Sequence, residues 1–428
     1  MLTITDAIQN GLKFSTPKNY YLAAKFTPMA FNPANAIQDL QYFGEFGGVN
    51  PSISDSSTYT FLAAKTMFDT FEGNADGCYL YSRHSTPSNL YLAGALAAME
   101  NTEAALVTAS GMGAICPVFL HLCQAGDHVV SSRTIYGGTY AFLKNFAPKF
   151  QLKTDFVDIT NLEQVEAAIT PQTKILYCET VSNPLMEIAD IAALSVIAKR
   201  HDLKLVVDNT FSPLSVAPAN LGADIVIHSL TKFINGSSDT VAGVLCTTRE
   251  LVDDMCNVTD GAAMLLGSTL DSLRAASILK NLRTLHVRMP QHSKNALYFA
   301  QQFEADGIRT LYPGLKSHKS HELYQTMMHP DYGYGGMLAI DVQTKANASA
   351  LMEAMQERNV GYLAVSLGFY RTLFSASGSS TSSEIPEEEQ ISMGLSPGLI
   401  RLSVGLDCDA KASYSKIKEA LKAVCLIN

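Results

Sequence analysis

Four short stretches of the 428-residue chain carry the side chains best suited to chemistry: Ser110-Gly111-Met112-Gly113, Glu179 with Asn183, Asp208, and Ser229-Leu230-Thr231-Lys232. A glycine-containing turn that runs into a helix points backbone N–H groups and the positive end of the helix dipole at an anion. Turn chemistry alone accounts for the same glycines equally well. A dinucleotide fingerprint would need a third glycine where Cys116 stands, and no Walker G-K-[ST] is present. Asp208 ends the strand expected at Leu203-Lys204-Leu205-Val206-Val207 and serves either as a cap or as a charge partner. Taken alone, Lys232 is an ordinary solvated lysine. Taken together, the groups form a set. Ser229 and Thr231 offer hydroxyls to a phosphate, Asp208 can keep a ring nitrogen protonated, and Lys232 can form an imine with an aldehyde. Those are the requirements of pyridoxal phosphate.

These groups fall at the ends of recognisable elements. Strands are expected at Ala104–Ala109, His128–Ser131, Lys174–Glu179, Leu203–Asp208 and Ile225–Ser229. Helices are expected at Asn89–Glu100, Gly113–Cys123, Thr139–Phe146 and Ile191–His201. The strand runs are continuously apolar, as for parallel strands covered on both faces. Their alternation with helices predicts an α/β layered domain, in which functional groups gather at the carboxyl ends of the strands. Beyond residue 283 a long helix at Gln291–Asp306, strands at Met337–Asp341, Tyr362–Val365 and Leu399–Val404, and a closing helix at Ala410–Val424 predict a smaller α+β domain. Residues 1–84, punctuated by Pro17, Pro28, Pro33 and Pro51, read as an arm that packs on the body or on a neighbouring subunit. The domains are therefore taken as 1–84, 85–282 and 283–428. There is no internal repeat. By composition, the serine-rich then acidic stretch Ser375–Glu389 reads as a solvated loop.

Composition narrows the class further. Hydrophobic residues make up 47% and charged residues 17%, which excludes intrinsic disorder and predicts extensive burial. A net charge of −9 with no basic run argues against nucleic acid as a partner. The eight cysteines form no C-x-x-C pair, and several lie in apolar runs such as Ile175–Cys178; they read as free thiols in a reducing compartment, here the cytoplasm. Residues 1–15 lack the basic start of a secretory signal. The charge-free stretch Ala104–Gly126 is long enough to span a bilayer, but Gly111, Gly113, Pro117 and His121 interrupt it, so it reads as strand, turn and buried helix, with no membrane partner. His318, His321 and Glu322 lie close in sequence, but Lys316 and Lys319 would repel a cation, and no metal is expected.

Seven segments, in order, resemble one family: Tyr81-Ser82-Arg83, Ala109-Ser110-Gly111-Met112, Tyr136-Gly137-Gly138-Thr139, Glu179 with Asn183-Pro184, Val206-Val207-Asp208-Asn209-Thr210, Ser229-Leu230-Thr231-Lys232 and Arg401-Leu402-Ser403-Val404-Gly405. The chain is similar to the pyridoxal-phosphate enzymes of cysteine and methionine metabolism, from about Phe43 to the last helix. The resemblance implies an aspartate-aminotransferase-like fold of type I, with a large domain on a mixed, mostly parallel sheet and a smaller C-terminal α+β domain. It implies that Lys232 carries pyridoxal phosphate and shuttles protons, and that Asp208 pairs with the ring nitrogen. Tyr136 would stack on the ring and move protons, and Asn183 would contact the ring hydroxyl. Gly111, Met112, Ser229 and Thr231 would hold the phosphate. Tyr81 and Arg83 would reach the phosphate of a neighbouring subunit, within a homo-oligomer built as a dimer of dimers. Arg401, assisted by Ser366, would pin the substrate carboxylate.

Further segments are similar to the plant-type methionine γ-lyases of the family: Phe43–Asn50, Met264–Gly267, Asp331–Gly336 and Gly378–Glu384. This likeness turns Ser375–Glu389 from a linker into an ordered loop near the site, and it implies cleavage of a sulfur amino acid, with methionine favoured. Where cystathionine γ-lyases carry an acid before the serine, this chain has Val365, which suits an apolar thioether tail. A lost charge-assisted contact costs about 1.5–3 kcal/mol, enough to tilt preference. Tyr79, Glu72 or Asp76 could replace it, so cystathionine β- or γ-lyase stays open, as do the γ-replacement enzymes O-acetylhomoserine sulfhydrylase and cystathionine γ-synthase. The chain departs from the family pattern at Phe233-Ile234-Asn235-Gly236-Ser237 and at Thr86-Pro87-Ser88. It also has Gly138 where bacterial methionine γ-lyases place a cysteine beside the stacking tyrosine.

Overall fold

The computed structural model describes residues 31–40, 47–75, 77–376 and 385–428. The expectations for Pro17, Pro28, Phe43–Phe46, Asp76 and Gly378–Glu384 lie outside the described residues.

The large sheet has seven strands: β1 Ala104–Thr108, β2 His128–Ser132, β3 Lys153–Val157, β4 Thr173–Glu179, β5 Lys204–Asp208, β6 Ile225–Ser229 and β7 Gly243–Thr247. Their order is β1-β7-β6-β5-β4-β2-β3. All run parallel except β7, which is antiparallel to both of its neighbours. Successive residues on the inner strands enter opposite cores. Leu176 and Cys178 of β4 face one, while Ile175 and Tyr177 face the other. A sheet covered on both faces favours apolar side chains on both sides of each inner strand, which is why these strands read as largely apolar runs. Helix Pro87–Glu100 packs on the first face and helix Gly111–Leu122 on the second.

Two strands of this sheet were not expected, for different reasons. In β3, an edge strand, only Val157 of Lys153–Val157 is buried, so its apolar signal is thin. β7 returns from β6 without a crossover helix, and its direction is not written in its composition. The helix expected over 139–146 begins at Gly137 and widens into a π-helical turn at Phe142–Phe146.

The second sheet has five strands: β8 Arg309–Leu311, β9 Met337–Asp341, β10 Gly361–Leu363, β11 Thr372–Ala376 and β12 Leu399–Ser403. They lie in the order β10-β11-β12-β9-β8, antiparallel except for the β10–β11 pair. Helices Leu285–Ala305, Lys345–Glu357 and Ala410–Ala423 cover one side. The first of these starts well before the expected Gln291, because the helix continues through Pro290, where proline signals a break. It links the two halves: Leu285 and Met289 pack in the core of the large sheet, and Phe299 and Phe303 in that of the small one. Expected as strand to Val365, β10 stops at Leu363; Val365 then turns toward the large domain, and Ser366 adopts φ +91°. Of the serine-rich stretch, Ser375 and Ala376 close β11, Ile385 is buried, and a helix starts at Glu387.

Among the described residues no helix is long and apolar enough to cross a membrane, and no group of three or more His, Cys, Asp or Glu could hold a metal ion. His318 accepts a bond from the Ser320 amide, and His321 bonds to the Pro313 carbonyl and stacks on Tyr334.

Candidate active site

Register brings the expected groups together. Glu179 of β4 lies beside Asp208 of β5, and Asp208 beside Ile227 of β6, so three neighbouring strands end on one edge. A cavity of about 450 Å³ opens there, within the range of ligand sites. Its lining includes Gly111, Met112, Tyr136, Asn183, Asp208 and Ser229 from the large domain, with Thr231 and Lys232. Val365, Ser366 and Arg401 complete it from the smaller domain. Tyr81 and Arg83 do not line it. Arg83 donates to the Met264 carbonyl at 3.1 Å and lies 5.9 Å from the Tyr81 ring centroid.

The glycine stretch is the helix's own first turn rather than a loop before it. Ser110 is the N-cap, accepting from the Gly113 amide at 2.9 Å, and the helix begins at Gly111. A Cβ on Gly111 would come within 3.1 Å of the Ser229 Cβ, and one on Gly113 would overlap Ser268 Oγ. The backbone therefore approaches Ser229 as closely as glycine permits, leaving amide groups at a helix N-terminus beside a serine hydroxyl. Thr231 anchors the following loop, exchanging bonds of 3.2 and 3.0 Å with Ala242.

Lys232 Nζ donates to Ser366 Oγ at 3.0 Å. Burial, and then the nearby Arg401 charge, lower its pKa to about 8, so a far larger share of the amine than usual, about a tenth, is neutral and nucleophilic at pH 7. Gly368, at φ +79°, packs so tightly on the Lys232–Phe233 backbone that a Cβ would collide with it. Arg288, which sequence reasoning passed over, holds the same loop through the Phe233, Ile234 and Asn281 carbonyls. It sits some 56 residues away in the chain, so only the fold reveals it.

Asp208 is buried and accepts from the Thr210 amide at 2.9 Å. Burial raises its pKa, opposed by the Thr210 bonds and by the His228 charge. Its bonding partner is neutral, so its charge faces the cavity ready for a cation; a buried carboxylate without one is costly. Arg401 is also buried, its Nη1 donating to Asn183 Oδ1 at 3.1 Å and its Nη2 to the Ser366 carbonyl at 3.0 Å. Both partners are neutral oxygens, which leaves the guanidinium charge for a ligand carboxylate. Burial lowers its pKa to about 10.

These features fit pyridoxal phosphate. An amide-lined helix start beside Ser229 suits the phosphate, a buried carboxylate suits a protonated ring nitrogen, and a lysine with a lowered pKa suits the aldehyde. Glu179, which the sequence marked without a role, accepts from the Tyr136 amide at 2.6 Å and the Asn183 amide at 2.9 Å.

Gly138 bears directly on Tyr136. A Cβ there would lie 2.5 Å from Tyr136 Cε1 and 3.0 Å from Cζ. Gly138→Ala is therefore expected to displace the ring and lower kcat about tenfold or more, with an unchanged melting temperature. Steady-state kinetics alongside a thermal melt check this, and a wild-type kcat would show that the ring position is not set by residue 138.

Residues 34–422 match the model of the family described as Cys/Met metabolism PLP-dependent enzyme. The chain is 43% identical to methionine gamma-lyase from Arabidopsis thaliana, over 93% of each sequence. It is 36% identical to L-methionine gamma-lyase from Fusobacterium nucleatum subsp. polymorphum, over 85% of this chain and 91% of the relative. Among solved structures, cystathionine gamma-lyase from Lactobacillus plantarum, complexed with L-serine, superposes with a TM-score of 0.84 at 28% identity, covering 92% of this chain and 99% of that one.

Proposed function

From the premise that the chain belongs to the Cys/Met metabolism PLP-dependent enzymes, we propose that it cleaves the carbon–sulfur bond of L-methionine, which with water gives methanethiol, 2-oxobutanoate and ammonia. The observation that carries the choice of substrate is the wall beside Lys232. Val365 and Val241 line it, both well exposed, and the carboxylates among the lining residues are Glu179 and Asp208. Glu179 is spent on two backbone amides and Asp208 sits at the strand ends, so an apolar thioether tail is welcome and a distal ammonium finds no spare carboxylate among the described lining residues.

The cofactor, when bound, supplies an electron sink for charge that develops on substrate carbons. The protein's own groups do the rest. Arg401 takes the substrate carboxylate on its free guanidinium edge. Lys232 Nζ, held by Ser366 Oγ and uncharged in part near neutral pH, accepts protons from the α- and then the β-carbon. The Tyr136 hydroxyl delivers a proton to the departing sulfur. Asp208 would hold the ring nitrogen protonated, and Asn183 would contact the ring hydroxyl.

The test is a substrate panel of methionine, cystathionine, cysteine, and O-acetylhomoserine plus sulfide, with the oxo acid identified. The expected outcome is 2-oxobutanoate from methionine with the highest kcat/KM. Pyruvate from cystathionine at far higher kcat/KM would overturn the methionine assignment and leave a carbon–sulfur lyase of another specificity.

The working unit is taken to be a homo-oligomer, a dimer at least and a dimer of dimers by family likeness. Supporting this, helix Ala64–Phe71 buries none of its residues, Phe68, Phe71, Leu265 and Leu266 are each more than half exposed, and Arg83 bonds the Met264 carbonyl and is not among the residues lining its own cavity. Apolar surface on that scale normally meets another protein surface. All eight cysteines are free, which supports a cytoplasmic location; cell fractionation that finds the protein in an oxidising compartment would overturn it.

A further inference from the structure

Glu179 ends β4 after an apolar run and is only 7% exposed. A carboxylate this deep is costly unless its oxygens are satisfied. Burial, followed by the neighbouring Asp208, pushes its pKa well above the usual range, with the two amide bonds and Arg401 acting against that rise. Both oxygens are used, and both on backbone amides of residues that face the cavity. Oε1 accepts from Tyr136, 43 residues earlier, and Oε2 from Asn183, four residues later. From there the bonding is continuous. Asn183 Oδ1 receives Arg401 Nη1, Arg401 Nη2 reaches the Ser366 carbonyl, and Ser366 Oγ receives Lys232 Nζ. The Tyr136 ring is 44% exposed and lies against Gly138 on one side. Its backbone anchor, held by Glu179, sets the point from which the ring extends.

We propose that Glu179 is the positioning residue of this site: one carboxylate clamps the Tyr136 and Asn183 amides, and so fixes the tyrosine ring relative to the Arg401 guanidinium and the Lys232 amine. The residue type follows from the geometry. Two N–H donors require two acceptors, and glutamine offers one, its amide group facing the other donor with a donor of its own. Aspartate keeps both acceptors but is one methylene short of spanning the two amides. Glu179 touches no reacting atom in this scheme; it acts through Tyr136 and Asn183. The inference rests on the reading of the cavity given under Proposed function.

The test uses the holoenzyme with Glu179→Gln and Glu179→Asp, each in the native and the Tyr136→Phe background. The readouts are kcat and KM for methionine, visible circular dichroism of the bound cofactor, and cofactor affinity by fluorescence titration of the apoprotein. Far-UV circular dichroism and thermal melting report folding. Glu179→Gln is expected to lower kcat/KM about 10²-fold, as a displacement near 1 Å does. In the Tyr136→Phe background the same change is expected to cost less than about tenfold, because coupled residues are not additive. The cofactor dichroism is expected to change in both Glu179 variants. Should Glu179→Gln fail to fold, Glu179→Asp carries the test with the same two backgrounds. Equal losses in both backgrounds together with native dichroism would overturn the proposal, as would full kcat in Glu179→Asp. The dichroism and affinity arms need no substrate, so they stand apart from the methionine assignment, whose failure would show in the wild-type enzyme.

Discussion

Lys232→Ala is expected to leave a folded protein that neither acquires the visible absorbance of lysine-bound pyridoxal phosphate nor turns over substrate. kcat should fall at least about 10³-fold, because one side chain supplies both the covalent anchor and the proton carrier. Absorbance spectra of the reconstituted variant check the first part and steady-state kinetics the second. Borohydride reduction followed by peptide mapping gives an independent reading, and label on any other lysine would refute the assignment. The sign of the pH dependence follows from the cavity. With Nζ lowered to about 8 by burial and Arg401, the neutral amine becomes scarcer as pH falls. Cofactor uptake by the apoprotein should therefore slow about tenfold per unit below that value and level off above it. The same variant tests subunit sharing. Mixed with inactive Arg83→Ala, it should regain activity, since one site of each hybrid dimer has both residues intact. A fully active monomer would defeat that expectation.

Asp208→Asn is expected to weaken cofactor retention and to lower kcat, each about tenfold to a hundredfold, the worth of a charge-assisted bond. The buried carboxylate has a neutral partner in Thr210, so its charge is available to a ring cation, and asparagine offers none. Dialysis against cofactor-free buffer and kcat on the reloaded enzyme measure the two effects. Asp208→Glu, which keeps the charge, should retain more of both than Asp208→Asn. Native retention and native kcat in Asp208→Asn would mean that the ring nitrogen is held elsewhere.

The sequence by itself determined which groups meet. Asp208, Ser229 and Glu179 end largely apolar runs, the pattern of strands covered on both faces of a sheet. Parallel strands bring their carboxyl ends to one edge, so these residues had to converge, with Lys232 three residues beyond β6. What the sequence could not carry is whatever depends on contacts between distant segments. The reversal of β7 is one such feature, since a short apolar strand pairs equally well in either direction. The turn that carries Val365 off the strand is another, set by Ser366 in a conformation rare for serine. The Glu179 clamp joins backbone amides, which leave no mark in residue types, and Arg288 and Gly368 seat the Lys232 loop from the smaller domain's side of the chain. Local pattern encodes the element and its end residue, because both follow from burial along a few residues of chain. Tertiary packing alone decides which carbonyl, amide or ring lies within 3 Å or so of that end, because hydrogen-bond reach is shorter than any spacing a pattern can specify.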